Sequence, residues 1–425
     1  MNGQHHRVVV TGLGVLASNA HGLASFAGAL REKKSGIRFH AHLADAGFAC
    51  QVGGIPEGVE ALAERYFSDE ERFAMNPNMV YAAIASIDAW TDGGLSRGGD
   101  EVDWDAGAIL GTGIGGIDTI AEKLAPRTDA GKVSRLGSTM VEQVMASGNS
   151  ARVAGFLGLG NQVTTTSSAC NTGTEAIVDA FLRIREGRAK RMLAGGSEGS
   201  SKYSWAGFDA MRVLNRTRND APSQASRPMS ASAAGFVPSS GAGVLLLESL
   251  ESAEARGARV YAEVLGGYVN CGGHRMGGSM TAPNPHGVRR CIQGALHEAK
   301  ISPREVDAIN GHLTATFADP LELANWARAL EVTPERMPYV QATKSLIGHA
   351  LGAAGGIESV ASVLELHGGW LHGSANCEDL HPELVAYASR IVRDTLDLPE
   401  LRVIAKASFG FGDVNGCVVF RKFTS

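Results

Sequence analysis

The stretch "TTTSSACNTGTEAIVDAFLRIREGR" (164–188) places one cysteine between a strand-like run and a helical pattern. The β-branched run over 163–166 predicts the end of a central strand, and residues 174–185 predict an amphipathic helix. Cys170 lies at the junction, where helix N–H groups and the helix dipole favour a thiolate. This position suits a nucleophile, although the stretch alone is equally compatible with a buried structural cysteine.

The same strand–turn–helix order recurs along the whole chain. Strand-like runs that end in glycine or polar turns alternate with helical patterns, and this alternation predicts an α/β fold. The strand-like runs include "RVVVTGLG" (7–14), "AGAILGTGIGG" (106–116), "VDAINGH" (306–312) and "YVQATKS" (339–345). The helical patterns include 79–90, 173–188, 287–299, 318–330 and 352–369.

The two parts of the chain share this order of elements, which indicates an internal duplication. We expect a boundary near residues 250–260. The predicted division is an N-terminal half, 1–255, that carries the cysteine, and a C-terminal half, 256–425, that carries two histidines of interest.

Composition narrows the class of protein. The net charge of −5 gives no reason to expect nucleic acid or an anionic membrane as a partner. The six cysteines are scattered without a CxxC pair, so neither a zinc site nor a disulfide framework is expected. No uninterrupted apolar run approaches the roughly 18 residues of a membrane span. We expect a cytoplasmic protein without a resident metal.

Two histidines occupy positions like that of Cys170. His312 ends the strand-like run "AINGH", and His349 lies in a glycine-flanked turn ahead of a helical pattern. In α/β sheets such strand ends form the side on which ligands bind. Lys344 precedes His349 by five residues and needs a partner if it is buried, for which Glu358 is a candidate. "SFGFGDVNG" (408–416) is either a tight hairpin or a flexible loop with Phe411 as a movable lid.

Together these segments resemble β-ketoacyl-acyl carrier protein synthases of the elongating type, the condensing enzymes of fatty acid and polyketide synthesis. The resemblance extends over nearly the whole chain. It is carried by "SSACNTG" (167–173), "GHLTAT" (311–316), "TKSLIGHALGAAGGIE" (343–358) and "SFGFGDVN" (408–415), together with the opening strand and turn. The lysine–histidine segment is the most specific of them.

The resemblance implies a thiolase-like duplicated fold, layered α-β-α-β-α, with two mixed sheets around central helices. It also implies an acyltransferase that condenses a cysteine-bound acyl group with malonyl-acyl carrier protein. By motif, Cys170 is the acyl acceptor, and His312 and His349 bind the malonyl thioester carbonyl as enolate charge develops. Lys344 supports these histidines, with Glu358 near it.

The resemblance assigns further positions around this centre. The N–H groups of Cys170 and Phe411 form an oxyanion hole. Thr314 and Thr316 hold the phosphopantetheine arm, and Ile114 and Phe208 line the acyl pocket. The implied partners are an acyl carrier protein and a second subunit, as a homodimer or as a heterodimer with a related subunit. No cofactor is expected beyond the carrier's own phosphopantetheine.

The sequence departs from the family pattern at several of these motifs. Leu313 replaces a glycine, Asp413 and Val414 alter the C-terminal loop, and Asn171 follows the nucleophile where a small residue is common. The segment "NCGGHRMGGSMTAP" (270–283) is longer than usual, and "RPMSASAAGF" (227–236) lacks the family's charges.

The segment "SDEERFAM" (68–75) is acidic at a position where family members often have basic residues that bind the carrier protein. Either this protein uses a specialised carrier protein, or other basic residues bind the carrier: Arg72, Lys123, Arg127 or Arg212.

Three alternatives remain. A non-catalytic chain-length-factor-like subunit normally lacks the nucleophile, whereas Cys170 and both histidines are present. A degradative thiolase needs a second cysteine in the C-terminal loop, and Cys417 lies instead in the apolar run "GCVVF". A ketosynthase of specialised metabolism fits the departures better than these two.

Overall fold

Strands and helices alternate throughout residues 5–424, the part of the chain described by the computed structural model. The strands are β1 Val8–Ala17, β2 Ala20–His21, β3 Ile37–Phe39, β4 Val52–Gly54, β5 Ala106–Gly111, β6 Val163–Thr164, β7 Arg191–Glu198, β8 Gly241–Ser249, β9 Ala262–Cys271, β10 Ala308–Asn310, β11 Tyr339–Gln341, β12 Trp370–Leu371, β13 Leu396–Asp397, β14 Val403–Gly410 and β15 Val414–Lys422. The α-helices are α1 Leu23–Arg31, α2 Ala41–Asp45, α3 Val59–Tyr66, α4 Asp69–Phe73, α5 Pro77–Asp92, α6 Ile117–Thr119, α7 Ala125–Asp129, α8 Met140–Val144, α9 Gly148–Leu157, α10 Thr172–Arg185, α11 Lys202–Ala210, α12 Leu250–Ala255, α13 Pro285–Ala299, α14 Ala318–Leu330, α15 Lys344–Ile347 and α16 Ala354–Gly368.

The main sheet repeats one topology twice. Its order is β11-β10-β14-β15-β9-β1-β8-β7-β5-β6. In the first half β6, β5 and β7 are parallel while β8 and β1 are antiparallel to their neighbours. In the second half β11, β10 and β14 are parallel while β15 and β9 are antiparallel. The two five-stranded halves therefore have the same strand order and directions, as a duplicated fold requires.

The two halves of the sheet meet along a short seam. β1 pairs with β9 only through Val8–Val10 and Ala262–Val264. Most of the contact between the halves is instead apolar packing around α10 and α16, whose side chains share one buried cluster with residues of both half-sheets. These two central helices lie side by side. α10 is the first α-helix after β6, whereas α15 lies between β11 and α16.

Separate apolar clusters cover the outer faces. One joins α5 and α9 to the first half of the sheet, and the other joins α13 and α14 to the second half. The layers are thus helix, sheet, central helices, sheet and helix, and the predicted thiolase-like fold class is confirmed. The division of the chain at residue 255 stays a prediction, because the main sheet runs through both parts.

The hydroxyl-rich run before Cys170 is not the end of a central strand. Only Val163–Thr164 form β6, and β6 lies at the edge of the sheet. The following hydroxyl groups bond locally instead: Thr166 Oγ1 donates to Thr172 O, and Thr172 Oγ1 accepts from Ser168 N–H. Such local bonds compete with strand pairing, which explains why the β-branched pattern misled the prediction.

Among the described residues, no helix combines the length and apolar character needed to cross a membrane.

Candidate active site

The predicted centre forms from segments that follow three strands of the two half-sheets. Cys170 follows β6 of the first half, whereas His312 and His349 follow the parallel strands β10 and β11 of the second half. Cys170 Sγ and the His349 Nε2 are 3.1 Å apart, and the two imidazole centroids are separated by 5.3 Å. All three side chains are buried. The sheet therefore gathers the cysteine and both histidines, although they are far apart in sequence.

A strained turn presents the cysteine. Ala169 has φ 50°, a conformation that costs a residue with a Cβ about 1–2 kcal/mol. A 3-10 turn over Ala169–Asn171 then leads into α10. Gly410 allows close approach from β14, because a Cβ there would lie 3.1 Å from the backbone nitrogens of Cys170 and Asn171. The sharp turn exposes the thiol to the cavity described below.

The thiol is not a thiolate at rest. Burial raises the pKa of Cys170 to about 11, whereas Lys344 and the Phe411 N–H oppose that rise. The sequence predicted that the helix would favour the thiolate, but the loss of solvation is the larger effect. The Phe411 N–H helps to lower the pKa of the thiol, whereas its role as an oxyanion-hole donor stays a prediction.

His349 is held as a hydrogen-bond donor to the sulfur. Its Nδ1 accepts from the Leu351 N–H at 3.2 Å, so the proton of the neutral ring belongs on Nε2, which faces Cys170. Burial lowers the pKa of His349 well below its usual value, and Lys344 and Lys406 lower it further. The neutral ring therefore donates to Sγ at neutral pH.

His312 is held in a similar way by a buried cation. Its Nδ1 lies 3.4 Å from Lys344 Nζ, which also donates to Glu358 Oε1 at 2.5 Å. Burial lowers the pKa of His312 well below its usual value, with Lys344 as a further cause. Because the ammonium faces Nδ1, the ring proton belongs on Nε2. Glu358 on α16 is thus the partner that buried Lys344 needs.

Sequence reasoning missed a second buried lysine at this centre. Lys406 on β14 is fully buried, and its Nζ lies 2.8 Å from the other carboxylate oxygen of Glu358. One carboxylate therefore serves two ammonium groups. A lysine in an apolar strand pattern is a usable signal, since lysine is almost never buried without a partner.

Two buried carboxylates that the sequence analysis also missed bind the loops that follow the strands. Glu322 on α14 accepts the N–H groups of His312 and Leu313 at 2.7 and 2.8 Å. Glu198 at the end of β7 accepts those of Gly113, Ile114 and Gly352. Burial raises the pKa of Glu322 to about 7. Most of these contacts are with backbone N–H groups, so the two carboxylates hold the loops that follow the strands.

A cavity of about 280 Å³ opens onto the cysteine and the histidines. Thr314 and Thr316 line one wall, with their hydroxyl oxygens 3.0 Å apart. Phe208 and Phe411 line it as well, and their ring centroids are 6.0 Å apart. Its predominantly apolar walls with a few convergent polar groups suit an acyl chain that ends in a polar carbonyl.

Ile114 does not line this cavity. Its side chain is 46% exposed in the single chain, and its N–H donates to Glu198. The structure therefore brings Phe208, Thr314 and Thr316 to the predicted site but leaves Ile114 outside it.

The structure explains why an aspartate stands at position 413, where the sequence departs from the family pattern. Its buried carboxylate accepts the N–H of His274 at 3.0 Å and that of Asn284 at 2.7 Å. These donors belong to the loop over 272–284, which is part of the segment that is longer than usual. Gly272 permits this contact, because a Cβ there would lie 2.3 Å from the carboxylate. The altered C-terminal loop and the long segment are therefore bound to each other.

The other departures differ in how far they can be explained. Leu313 adopts φ 23° but is buried in the second outer cluster, so its packing offsets backbone strain. The acidic turn at 68–75 is a capping box closed by Ser68 and Glu71. The buried amide of Asn171 has no hydrogen-bond partner among the described residues, and nothing in the structure explains it.

The centre favours an anion over a cation. The donor atoms of Cys170, His312 and His349 lie within 4.8 Å of one another, a spacing that a metal ion could bridge. However, the Nδ1 hydrogen bonds leave a proton on each Nε2, and the Lys344 ammonium contacts His312 directly. N–H donors beside a buried ammonium are suited to a developing oxyanion.

The duplicated fold and the Cys–His–His centre define an acyltransferase of the thiolase-like class. The chain belongs to the β-ketoacyl synthase family: the models of the beta-ketoacyl synthase N-terminal and C-terminal domains match residues 5–253 and 261–378.

Relatives cover nearly the entire chain. It is 35% identical to 3-oxoacyl-[acyl-carrier-protein] synthase 1 of Escherichia coli K12, over 98% of this chain and 99% of that protein. It resembles the solved ishigamide ketosynthase/chain length factor at 28% identity and a TM-score of 0.88, over 99% of this chain and 100% of that one. A type II polyketide ketosynthase in complex with its acyl carrier protein, AntDE:AntF, matches at 28% identity and a TM-score of 0.87 over the same shares.

Proposed function

We propose that this β-ketoacyl synthase extends an acyl chain held on Cys170 by decarboxylative condensation with malonyl-acyl carrier protein. The observation that carries the proposal is the Cys–His–His centre, in which hydrogen bonds to each Nδ1 leave both Nε2 protons free to donate. Such donors stabilise enolate charge, which is the costly feature of this reaction.

Acylation is the first step. The sulfur of Cys170 attacks the carbonyl carbon of a carrier-bound acyl thioester, and the Cys170 and Phe411 N–H groups stabilise the tetrahedral oxyanion. The bond to the pantetheine sulfur breaks, and the thiol proton of Cys170 passes to that leaving thiolate. His349 Nε2, 3.1 Å from Sγ, donates to the sulfur as its negative charge develops.

Condensation follows when malonyl thioester binds. The bond between its methylene carbon and its carboxylate breaks, carbon dioxide leaves, and the electron pair forms an enolate. His312 and His349 donate Nε2–H to the enolate oxygen. The enolate carbon then attacks the acyl carbonyl, the bond to Cys170 sulfur breaks, and the thiolate takes a proton from solvent.

The test separates the two steps. We expect His312→Ala and His349→Ala to lose condensation while Cys170 still accepts a labelled acyl group, detected by mass spectrometry of the intact protein. Removing one oxyanion donor costs roughly 3–4 kcal/mol in comparable enzymes, about a hundredfold or more in rate. Cys170→Ser is the control that should lose acylation. Condensation at the wild-type rate by both histidine variants would refute the proposed roles.

An acyl carrier protein is the proposed partner, supported by the relative that was solved in complex with its carrier. Of the bases considered from the sequence, Arg72 already pairs with Glu64 and Asp69. Arg212 is exposed and lies between Met211 and Val213, two residues that line the cavity. Arg212 is therefore the base best placed to meet an acidic carrier at the mouth of the cavity.

A homodimer is also proposed. The edge strand β6 has no partner beyond β5 among the described strands, and free strand edges favour pairing. The connection from β5 to β6 adds exposed apolar side chains, including Ile114, Val133 and Val141. Single exposed residues are common, but several exposed apolar residues in the segment that leads to an open strand edge support a subunit interface.

Specialised metabolism is the preferred pathway class, because two of the solved relatives are the ishigamide ketosynthase/chain length factor and a ketosynthase of a type II polyketide system. Curated relatives named 3-oxoacyl-[acyl-carrier-protein] synthase keep primary fatty acid synthesis as the competing assignment. Comparing condensation rates with a housekeeping carrier and a carrier encoded nearby distinguishes them. The cytoplasmic location and the expected absence of a resident cofactor stay predictions.

A further inference from the structure

Lys406 occupies an unusual place for a lysine. It lies within β14, paired with Asn310 on one side and Val418 on the other. The neighbouring residues Ala405 and Ala407 face the outer apolar cluster, whereas Ile404 faces the central one. The alternation of side chains along a strand therefore directs Lys406 toward the central helices.

Two hydrogen-bond acceptors and one ion-pair partner surround the amine. Lys406 Nζ donates to Ala407 O at 2.7 Å and to Ser408 Oγ at 2.5 Å, and it forms an ion pair with Glu358 Oε2 at 2.8 Å. The carboxylate favours the charged ammonium, although burial lowers the pKa of Lys406.

The charges around Glu358 do not cancel. Lys344 and Lys406 each contact one oxygen of this single carboxylate, so the buried group Lys344–Glu358–Lys406 has a net charge of +1. Lys344 in turn contacts His312. Ser408 Oγ links Lys406 to Thr174 at 2.9 Å, on the helix that follows Cys170. An excess positive charge thus lies directly behind the reacting centre.

We propose that Lys406 is a positioning residue for condensation: its ammonium shares Glu358 with Lys344 and leaves a net positive charge behind His312 and His349 that favours the enolate. Lys406 does not contact the cavity itself. It acts through Glu358 and through the field in a buried region, where charges interact more strongly than in water. This inference rests on the proposed condensation and adds a residue to it.

The same charge makes the histidines harder to protonate. Lys406 lowers the pKa of both His312 and His349, after burial and Lys344. The other ionisable groups around these histidines and Lys406 are Cys170, Glu198, Glu322, Lys344, Glu358 and Cys417. These groups are the same in wild type and variant. A difference in the acid midpoint, the pH at which half of the activity is lost on acidification, therefore reports the effect of the Lys406 charge.

The test compares Lys406→Met with Lys406→Arg. Acylation of Cys170 and decarboxylation of malonyl-acyl carrier protein are measured separately from pH 5 to 9. We expect Lys406→Met to reduce decarboxylation on the order of tenfold while acylation changes less. We also expect the pH at which activity falls on acidification to move upward, because the histidine pKa values rise when the positive charge is removed. Lys406→Arg keeps the charge and should restore both readings toward wild type.

Several results would overturn the proposal. These are an unmoved acid midpoint, an equal loss of acylation and decarboxylation, or an arginine variant no better than the methionine variant. Lys406→Gln, which keeps two donors, replaces Lys406→Met if that protein does not fold. If neither uncharged variant folds, Lys406 is a folding residue and the proposal is rejected. A wild-type protein that is acylated but does not decarboxylate malonyl thioester would instead refute the proposed function.

Discussion

Cys170 combines a nucleophile's position with a high pKa, and this gives a pH prediction. Burial raises the pKa of the thiol to about 11, so the thiolate fraction should rise about tenfold for each pH unit between 7 and 9. We expect the alkylation rate of Cys170 by iodoacetamide to rise in the same proportion. The measurement is quantitative mass spectrometry of the peptide that contains Cys170.

Exposed Cys271 in the same protein is an internal reference for the reagent. A Cys170 alkylation rate that is already level at pH 8 would show that the helix field and Lys344 outweigh burial. In that case the sequence prediction of a resting thiolate would be restored.

Single residues differed in how well the sequence could predict them. Cys170 and His312 could be singled out because they lie at the ends of strand-like runs, and His349 because it lies in a glycine-flanked turn ahead of a helical pattern. Lys406 and Glu322 could not, since their significance depends on burial and on partners from distant segments. A charged residue in an apolar pattern shows that a partner is needed, but only the fold shows which one.

At the scale of elements, the C-terminal loop and the 272–284 loop form one unit. Besides the two bonds to the Asp413 carboxylate, Gly272 N–H donates to Asp413 O at 2.9 Å, and Gly412 N–H donates to Met280 O at 2.8 Å. Phe411 lies immediately before these contacts and lines the cavity. Movement of the predicted lid therefore requires the 272–284 loop to move or to release it.

Asp413→Ala should loosen this unit. The change leaves the His274 and Asn284 N–H groups without their acceptor, at a cost of about 1–3 kcal/mol for each group that stays buried. We expect trypsin to cut more rapidly after exposed Arg275, as followed by peptide mass spectrometry. His274→Ala is the matched control, because it removes the ring contact to Gly412 O but keeps the backbone bond to Asp413. Equal cleavage of wild type and Asp413→Ala would contradict this view of the loop.

Elements with strong periodicity were predicted well. The helical patterns at 79–90 and 318–330 correspond to α5, Pro77–Asp92, and α14, Ala318–Leu330. The run over 163–166 was predicted wrongly as the end of a central strand: only Val163–Thr164 pair, in an edge strand, and the hydroxyl groups that follow bond to nearby backbone groups. β-strand propensity is a property of each residue by itself, whereas these hydrogen bonds depend on the turn around Cys170.

At the scale of the whole molecule, the open edge at β6 predicts association. We expect the protein to have the mass of a dimer by sedimentation velocity, and Val141→Asp to shift it toward monomer by placing a charge in the buried interface. Val141 is 71% exposed in the single chain. Val385→Asp is the matched control, as Val385 is 61% exposed but lies in the second half of the chain. A wild-type monomer, or equal effects of both substitutions, would argue against this interface.

The duplication could be inferred from the order of predicted elements, because both halves alternate strands and helices in the same way. The pairing of β1 with β9 could not be inferred, since these two strands are adjacent at the centre of the sheet although each is the first strand of a different half. Long-range pairing of this kind depends on which faces remain to be buried after each half has formed.

Because the seam between the half-sheets is narrow, catalytic activity depends on how accurately the two half-sheets are aligned. Cys170 belongs to one half and both histidines to the other, while three residue pairs join the strands at the seam. A slip of one residue along a strand is about 3.3 Å, enough to separate a sulfur and a nitrogen that are 3.1 Å apart. Neither half alone contains a complete centre. Activity recovered by mixing separately produced halves would therefore report how accurately they dock, at sub-residue precision.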